Sequence, residues 1–138
     1  MKSGYYAIYL GKEYSSTSIN CGKIILRSTD FKDVKNGFEI CEPFKYRNVD
    51  EDIVCMKHVE KDEVREYYYL RTYALYKGYK FYVLIEKDNQ ILIVATVSIS
   101  SPAERWINLG MKMSDRDEYQ KWISKDEAEI IIERENLD

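Results

Sequence analysis

The sequence predicts a mainly β protein built as a tandem duplication of a small SH3-like β-barrel unit, with a short helical turn before the last strand of each unit. The first observation is internal repetition: Tyr6-Ala7-Ile8-Tyr9-Leu10-Gly11 aligns with Tyr73-Ala74-Leu75-Tyr76-Lys77-Gly78, and Lys23-Ile24-Ile25-Leu26 with Gln90-Ile91-Leu92-Ile93, at a constant spacing of 67 residues. Self-similarity at a fixed period outranks local pattern as a guide to architecture. The second is composition: aromatic and β-branched runs bounded by turn residues are what half-buried strands require. The third is size, because 138 residues divide into halves near the lower limit for an independent core.

The boundaries expected from the repeat are 1–70 for the first unit and 71–138 for the second. Each unit opens with a hairpin. Tyr5 to Leu10 turns through Gly11 into Lys12 to Ser16, and Thr72 to Tyr76 turns through Gly78 into Tyr79 to Ile85. The matched glycines mark positions that need positive φ or close backbone approach. A third strand follows in each, Lys23 to Ser28 and Gln90 to Thr96, and then a polar stretch of different length, Thr29 to Asn36 and Ser98 to Asn108. A shared glycine comes next, Asn36-Gly37-Phe38 against Leu109-Gly110-Met111.

The ends match at a spacing of 64, Lys61-Asp62-Glu63 against Lys125-Asp126-Glu127, so the inner loops differ in length. These triplets read as single helical turns, and Ser124 with Glu127 has capping-box spacing. The stretch before the second triplet, Asp117 to Ile123, fits a helix by its own periodicity but a strand by the repeat, and the repeat decides for strand. Tyr67 to Tyr76 runs from one unit into the next without Pro, Gly or Ser, which predicts two units packed rigidly together through one long strand.

Charge and motifs narrow the function classes. Net charge is only −3, but the acidic residues are concentrated. Residues 50–66 hold seven acidic side chains against three basic ones, and residues 114–138 hold nine against four. Such regions repel phosphate backbones. No stretch reaches the roughly 20 apolar residues of a membrane span, and the N-terminus lacks a signal-peptide core. Cys21, Cys41 and Cys55 have no zinc or redox spacing, so a cytoplasmic, reducing location is expected.

His58 is the only histidine, which rules out a two-histidine metal site, and in a strand it points away from Cys55. Paired carboxylates at Asp50-Glu51-Asp52 and Asp115-Arg116-Asp117-Glu118 read as solvated turns rather than as an acid and a base. No Walker loop or nucleophile elbow occurs, so no catalytic, cofactor or metal residue is assigned. The tyrosines divide by strand alternation between core and surface. Trp106, in the longer inner loop of the second unit, is the candidate anchor for a partner.

The runs Tyr5-Tyr6-Ala7-Ile8-Tyr9-Leu10-Gly11-Lys12-Glu13-Tyr14, Lys23 to Ser28 and Asn36-Gly37-Phe38-Glu39 resemble small cytosolic bacterial immunity proteins of polymorphic toxin systems. That resemblance implies a non-enzymatic inhibitor that binds one protein partner, a toxin domain, and covers its active surface. The expected partner-binding residues are Trp106 as anchor, with Asp50, Glu51, Asp52, Asp115, Asp117 and Glu118 steering association. The alternative is a nucleic-acid- or peptide-binding tandem β-barrel module using outward tyrosines with Lys32, Lys35, Lys45, Arg47, Lys77 and Lys80.

Overall fold

The computed structural model describes residues 2–46 and 51–137. They form two compact units: Lys2–Arg71 together with the residues from Arg134 onward, and Thr72–Glu133. The last strand's final residues therefore belong with the first unit. In the first unit the elements are β1 (Gly4–Tyr9), β2 (Lys12–Ser16), β3 (Lys23–Ser28), a 3₁₀ segment (Phe31–Asn36), β4 (Glu39–Phe44), β5 (Ile53–Glu60), a 3₁₀ turn (Lys61–Glu63) and the start of β6 (Glu66–Tyr76). The second unit runs from the end of β6 through β7 (Tyr79–Lys87), β8 (Gln90–Thr96), α1 (Ala103–Asn108), β9 (Lys112–Asp115), β10 (Glu118–Ser124) and a 3₁₀ turn (Lys125–Glu127) into β11 (Glu129–Asn136). The second order runs parallel to the first, with an α-helix where the first has a 3₁₀ segment.

Local sequence dictates the hairpins. Leu10-Gly11 and Lys77-Gly78 are two-residue turns with φ of 50° and 78° in one, 51° and 85° in the other. Positive φ at both central residues makes a type I′ turn, whose twist suits antiparallel strands. Eleven residues without a breaker then keep β6 extended. Gly4↔Leu70 to Ile8↔Glu66 pair β1 with its first half, and Tyr73↔Tyr82 to Tyr76↔Tyr79 pair β7 with its second half. Glu118 to Ser124 is a strand, as the repeat required, and the Ser124–Glu127 capping box closes with Ser124 N–H donating to Glu127 Oε2 at 2.9 Å.

Neither unit is a closed barrel. The first is an open antiparallel sheet ordered β4-β5-β3-β2-β1-β6, the second one ordered β6-β7-β8-β10-β9. Among the described residues no pairing joins β4 to β6 or β9 to β6, so neither order closes on itself. On β4, Pro43 has no N–H to offer and the register shifts between Ile40 and Phe44, which suits an edge. The polar stretches 29–36 and 98–108 are also not simple loops, because each contains a helical segment.

Those segments set the core of each unit. Each ends on a left-handed glycine, Gly37 at φ 91° and Gly110 at φ 82°. Beneath each lies a half-buried lysine. Lys57 Nζ donates to Tyr9 Oη at 2.6 Å and to Asn36 O at 2.9 Å; Lys121 Nζ donates to Tyr76 Oη at 2.8 Å and to Leu109 O at 2.9 Å. A methyl on either glycine would meet that ammonium, at 2.9 Å from Lys57 Nζ and 3.2 Å from Lys121 Nζ. Both positions need glycine for φ, and a methyl there would also displace the lysine tip.

Four residues before each glycine the units part. In the first stands Asp33, 3% exposed, accepting from Tyr14 Oη (2.7 Å), Ser28 Oγ (2.6 Å), Lys12 Nζ (2.9 Å) and Asn36 Nδ2 (3.1 Å). In the second stands Trp106, 5% exposed, with ring centroids 5.3 Å from Phe81 and 5.5 Å from Tyr79. Hairpin position makes Phe81 the counterpart of Tyr14, Tyr79 of Lys12, and Ala95 of Ser28. A polar hub in one unit is an aromatic core in the other.

Candidate recognition surface

Strand alternation in the second unit turns Ile123 into the core, at 2% exposure, and Trp122 outward, at 43%. Register extends that outward position across three strands, because Leu92 pairs with Trp122 on one side and with Ile85 on the other. Ile85, Leu92 and Trp122 thus form an apolar row on the open face, with Ile85 and Trp122 half out of the protein. Trp122 stands between two depressions. One, of about 350 Å³, is lined by Leu92, Gly110, Lys112, Met113 and Gln120. The other, of about 520 Å³, is lined by Lys87, Asp88 and Gln90.

The acidic residues expected in this unit sit on the same hairpin. Asp115 pairs with Glu118 across a two-residue turn, Arg116-Asp117, with Asp117 at φ 58°. Asp115 Oδ1 accepts from Arg116 N–H at 2.7 Å, and Glu118 Oε1 accepts from Ser114 Oγ at 3.0 Å and Gln120 Nε2 at 3.1 Å. Asp115 and Asp117 are exposed, and Glu118 is half-buried. Glu118, Gln120 and Trp122 alternate onto one face, so the carboxylates begin about 13 Å along the strand from the indole.

Trp106, expected as the anchor, is buried. The helix α1 turns it inward onto Phe81, where its Nε1–H has no hydrogen-bond partner among the described residues. Glu51 and Asp52 are exposed on the first unit, with Asp52 3.3 Å from Lys45 Nζ; Asp50 lies outside the described residues, as does Arg47. Of the other basic candidates, Lys80 is ion-paired with Glu133. Sequence reasoning missed Trp122 although the signal was present: in a strand over 117–123, Tyr119, Lys121 and Ile123 share one face and leave Trp122 on the other.

Chemistry elsewhere is sparse. His58 is exposed on β5 while Cys55 is fully buried, so the two do not meet. Cys21, Cys41 and Cys55 are all free thiols, and burial pushes the Cys55 thiol up. Among the described residues no three His, Cys, Asp or Glu side chains converge as a metal site, and no helix is long and apolar enough to cross a membrane.

Fold and surface together define an all-β, open antiparallel-sheet protein with an apolar row on one exposed face. The chain belongs to the family described as uncharacterised conserved protein UCP033725, whose model matches residues 1–138. No curated protein and no solved structure matches it.

Proposed function

We propose that the protein is a non-enzymatic, cytoplasmic protein-binding inhibitor of the immunity type, which seats the open face of its second unit on one toxin domain and covers that domain's active surface. The observation that carries this reading is the Ile85–Leu92–Trp122 row with the Asp115, Asp117 and Glu118 carboxylates at the end of the same hairpin. An exposed Trp flanked by depressions is a suitable anchor, because buried aromatics at interface centres supply most binding energy. The acidic turn selects a partner with a basic rim, as a nuclease or other cation-lined site would present. Three unpaired thiols are in keeping with a reducing compartment.

We further propose that the two units are copies of one ancestral unit. Parallel element order, paired type I′ turns and the repeated lysine–tyrosine–glycine arrangement support duplication. The recognition surface then belongs to one copy only, since β3 carries Ile25 and Arg27 where β8 carries Leu92 and Val94.

The test is binding to the product of the neighbouring gene, measured by calorimetry and by stopped-flow association. Trp122→Ala should weaken the complex by about 30-fold or more, the loss typical of a central Trp. Reversal to lysine at Asp115, Asp117 and Glu118 should slow association and flatten its salt dependence. Affinity and rate unchanged in both variants would remove this surface from the interaction.

A further inference from the structure

The first unit holds a cavity edged by charged side chains. Strands β2 and β3 pair only at Ser15↔Arg27 and Ser16↔Leu26. Beyond Ser15 and Arg27 they splay, and a cavity of about 280 Å³ opens in the split. Its rim carries Lys2 paired with Glu13, Lys12 paired with Asp33 at 2.9 Å, and Arg27; of the hydroxyls on its walls, Tyr14 and Ser28 donate to Asp33, and Tyr6, Ser15 and Thr29 also line it. A second cavity of about 370 Å³, lined by Ser16, Thr17 and Ser18, adjoins it, and Arg27 lines both.

Arg27 is the unusual member. Its Nη1 donates to Ser15 Oγ at 3.2 Å and to Ser16 O at 3.0 Å, and its guanidinium lies 3.9 Å over the Tyr46 ring. These contacts fix a half-buried cation in place. They use one of its three nitrogens, and no carboxylate among the described residues lies within ion-pair distance of it. Arg71 and Arg134 are different, paired with Glu135 at 3.0 Å and with Glu66 at 3.3 Å. A guanidinium held rigid by aromatic stacking, with donors left over beside a cavity, is built for a planar or tetrahedral oxyanion.

The second unit supplies the control. At positions equivalent to Arg27, Lys12, Ser15, Ser28 and Asp33 stand Val94, Tyr79, Tyr82, Ala95 and Trp106. A parallel element order is reached there with aromatic and apolar side chains. In the first unit Lys12 and Ser28 serve the buried Asp33, whereas Arg27 has no carboxylate to serve among the described residues and Val94 fills its place in the second unit.

We infer that the first unit carries a binding site for a small molecule bearing a carboxylate or phosphate group, with Arg27 as its principal anion contact and Ser15 and Thr29 as hydroxyl partners. The cavity volume fits a metabolite of modest size rather than a macromolecule. Because every residue involved lies in the first unit, this site stands whether or not the face of the second unit binds a protein.

The experiment titrates the full chain with inorganic phosphate, phenyl phosphate and succinate at constant ionic strength, by calorimetry and by NMR of the Arg27 side-chain Nε–H. At least one probe should bind saturably with one-to-one stoichiometry and shift the Arg27 resonance; saturation by the phosphates alone or by succinate alone assigns the anion class. Arg27→Met should weaken binding by about tenfold or more, the loss of a charge-assisted contact. Arg27→Lys, which keeps the charge without the fork, should lose less, and Arg134→Gln should bind as wild type. If Arg27→Met does not fold, Arg27→Lys decides. No saturable binding by any probe, or binding unaffected by both Arg27 variants, would overturn the inference.

Discussion

Replacing Asp33 by Asn tests the polar hub at its centre. Burial alone would push this carboxyl up, but bonds from Ser28, Tyr14, Lys12 and Asn36 outweigh it and hold the group down from 3.8 to about 2. A folded-state pKa below the unfolded one means that the carboxylate contributes stability above about pH 4, and that the contribution is lost as pH falls toward 2. The shift corresponds to about 2 kcal/mol. Asn keeps the shape but removes the charge and one acceptor, leaving donors unpaired in a site only 3% exposed. Lys12 is half exposed and can turn to water, so the expected cost at neutral pH is about 2–4 kcal/mol, below that of breaking a fully buried pair. Urea unfolding followed by far-UV circular dichroism, repeated from neutral to strongly acid pH, measures both quantities. Both tryptophans lie in the second unit, so indole fluorescence reports that unit separately. The gap between wild type and Asp33→Asn should be largest at neutral pH and shrink by about 2 kcal/mol on acidification. A gap under about 0.5 kcal/mol at neutral pH, the scatter of ordinary surface changes, or one independent of pH would refute the reasoning.

Two further substitutions probe the cores. Trp106→Ala should cost the second unit about 3–5 kcal/mol in urea unfolding, as a deleted core aromatic does. Trp106→Phe should cost much less, because it also removes the unpaired indole N–H, and neither change should affect partner binding if the unit remains folded. Gly37→Ala should destabilise by about 1–3 kcal/mol through left-handed strain and displacement of Lys57, and Gly110→Ala by somewhat less, since Lys121 stands farther off. Thermal melts of the pair check the order.

Where a residue's neighbours along the chain determined its state, the sequence was readable. Gly11 and Gly78 announced left-handed turns, the unbroken run through Tyr67 to Tyr76 announced β6, and the repeat chose strand over helix for Glu118 to Ser124. Barrel closure was not readable, because it depends on which strands meet at the edges, and an SH3-like order of hairpin, helical turn and strand is compatible with an open sheet. Trp106 was misplaced for a more instructive reason. Polarity around it suggested a loop, yet counting back four residues from the shared glycines sets it opposite Asp33, at a position that faces the core in both units. Arg27 drew no notice since its stacking partner, Tyr46, is 19 residues distant in the chain. Asp33 escaped for the same reason, its partners being drawn from two strands and a helical segment.

The central claim is that recognition rests on the outward face of β10 and not on the buried tryptophan. Hydrogen–deuterium exchange of the full chain, alone and saturated with the neighbouring gene's product, tests it most directly when paired with calorimetry on Trp122→Ala. Protection should concentrate on β8, β9 and β10 around Leu92, Met113 and Trp122, and the variant should lose both that protection and most of the affinity. Protection confined to the first unit, or a complex as tight with alanine at position 122 as without it, would contradict the claim.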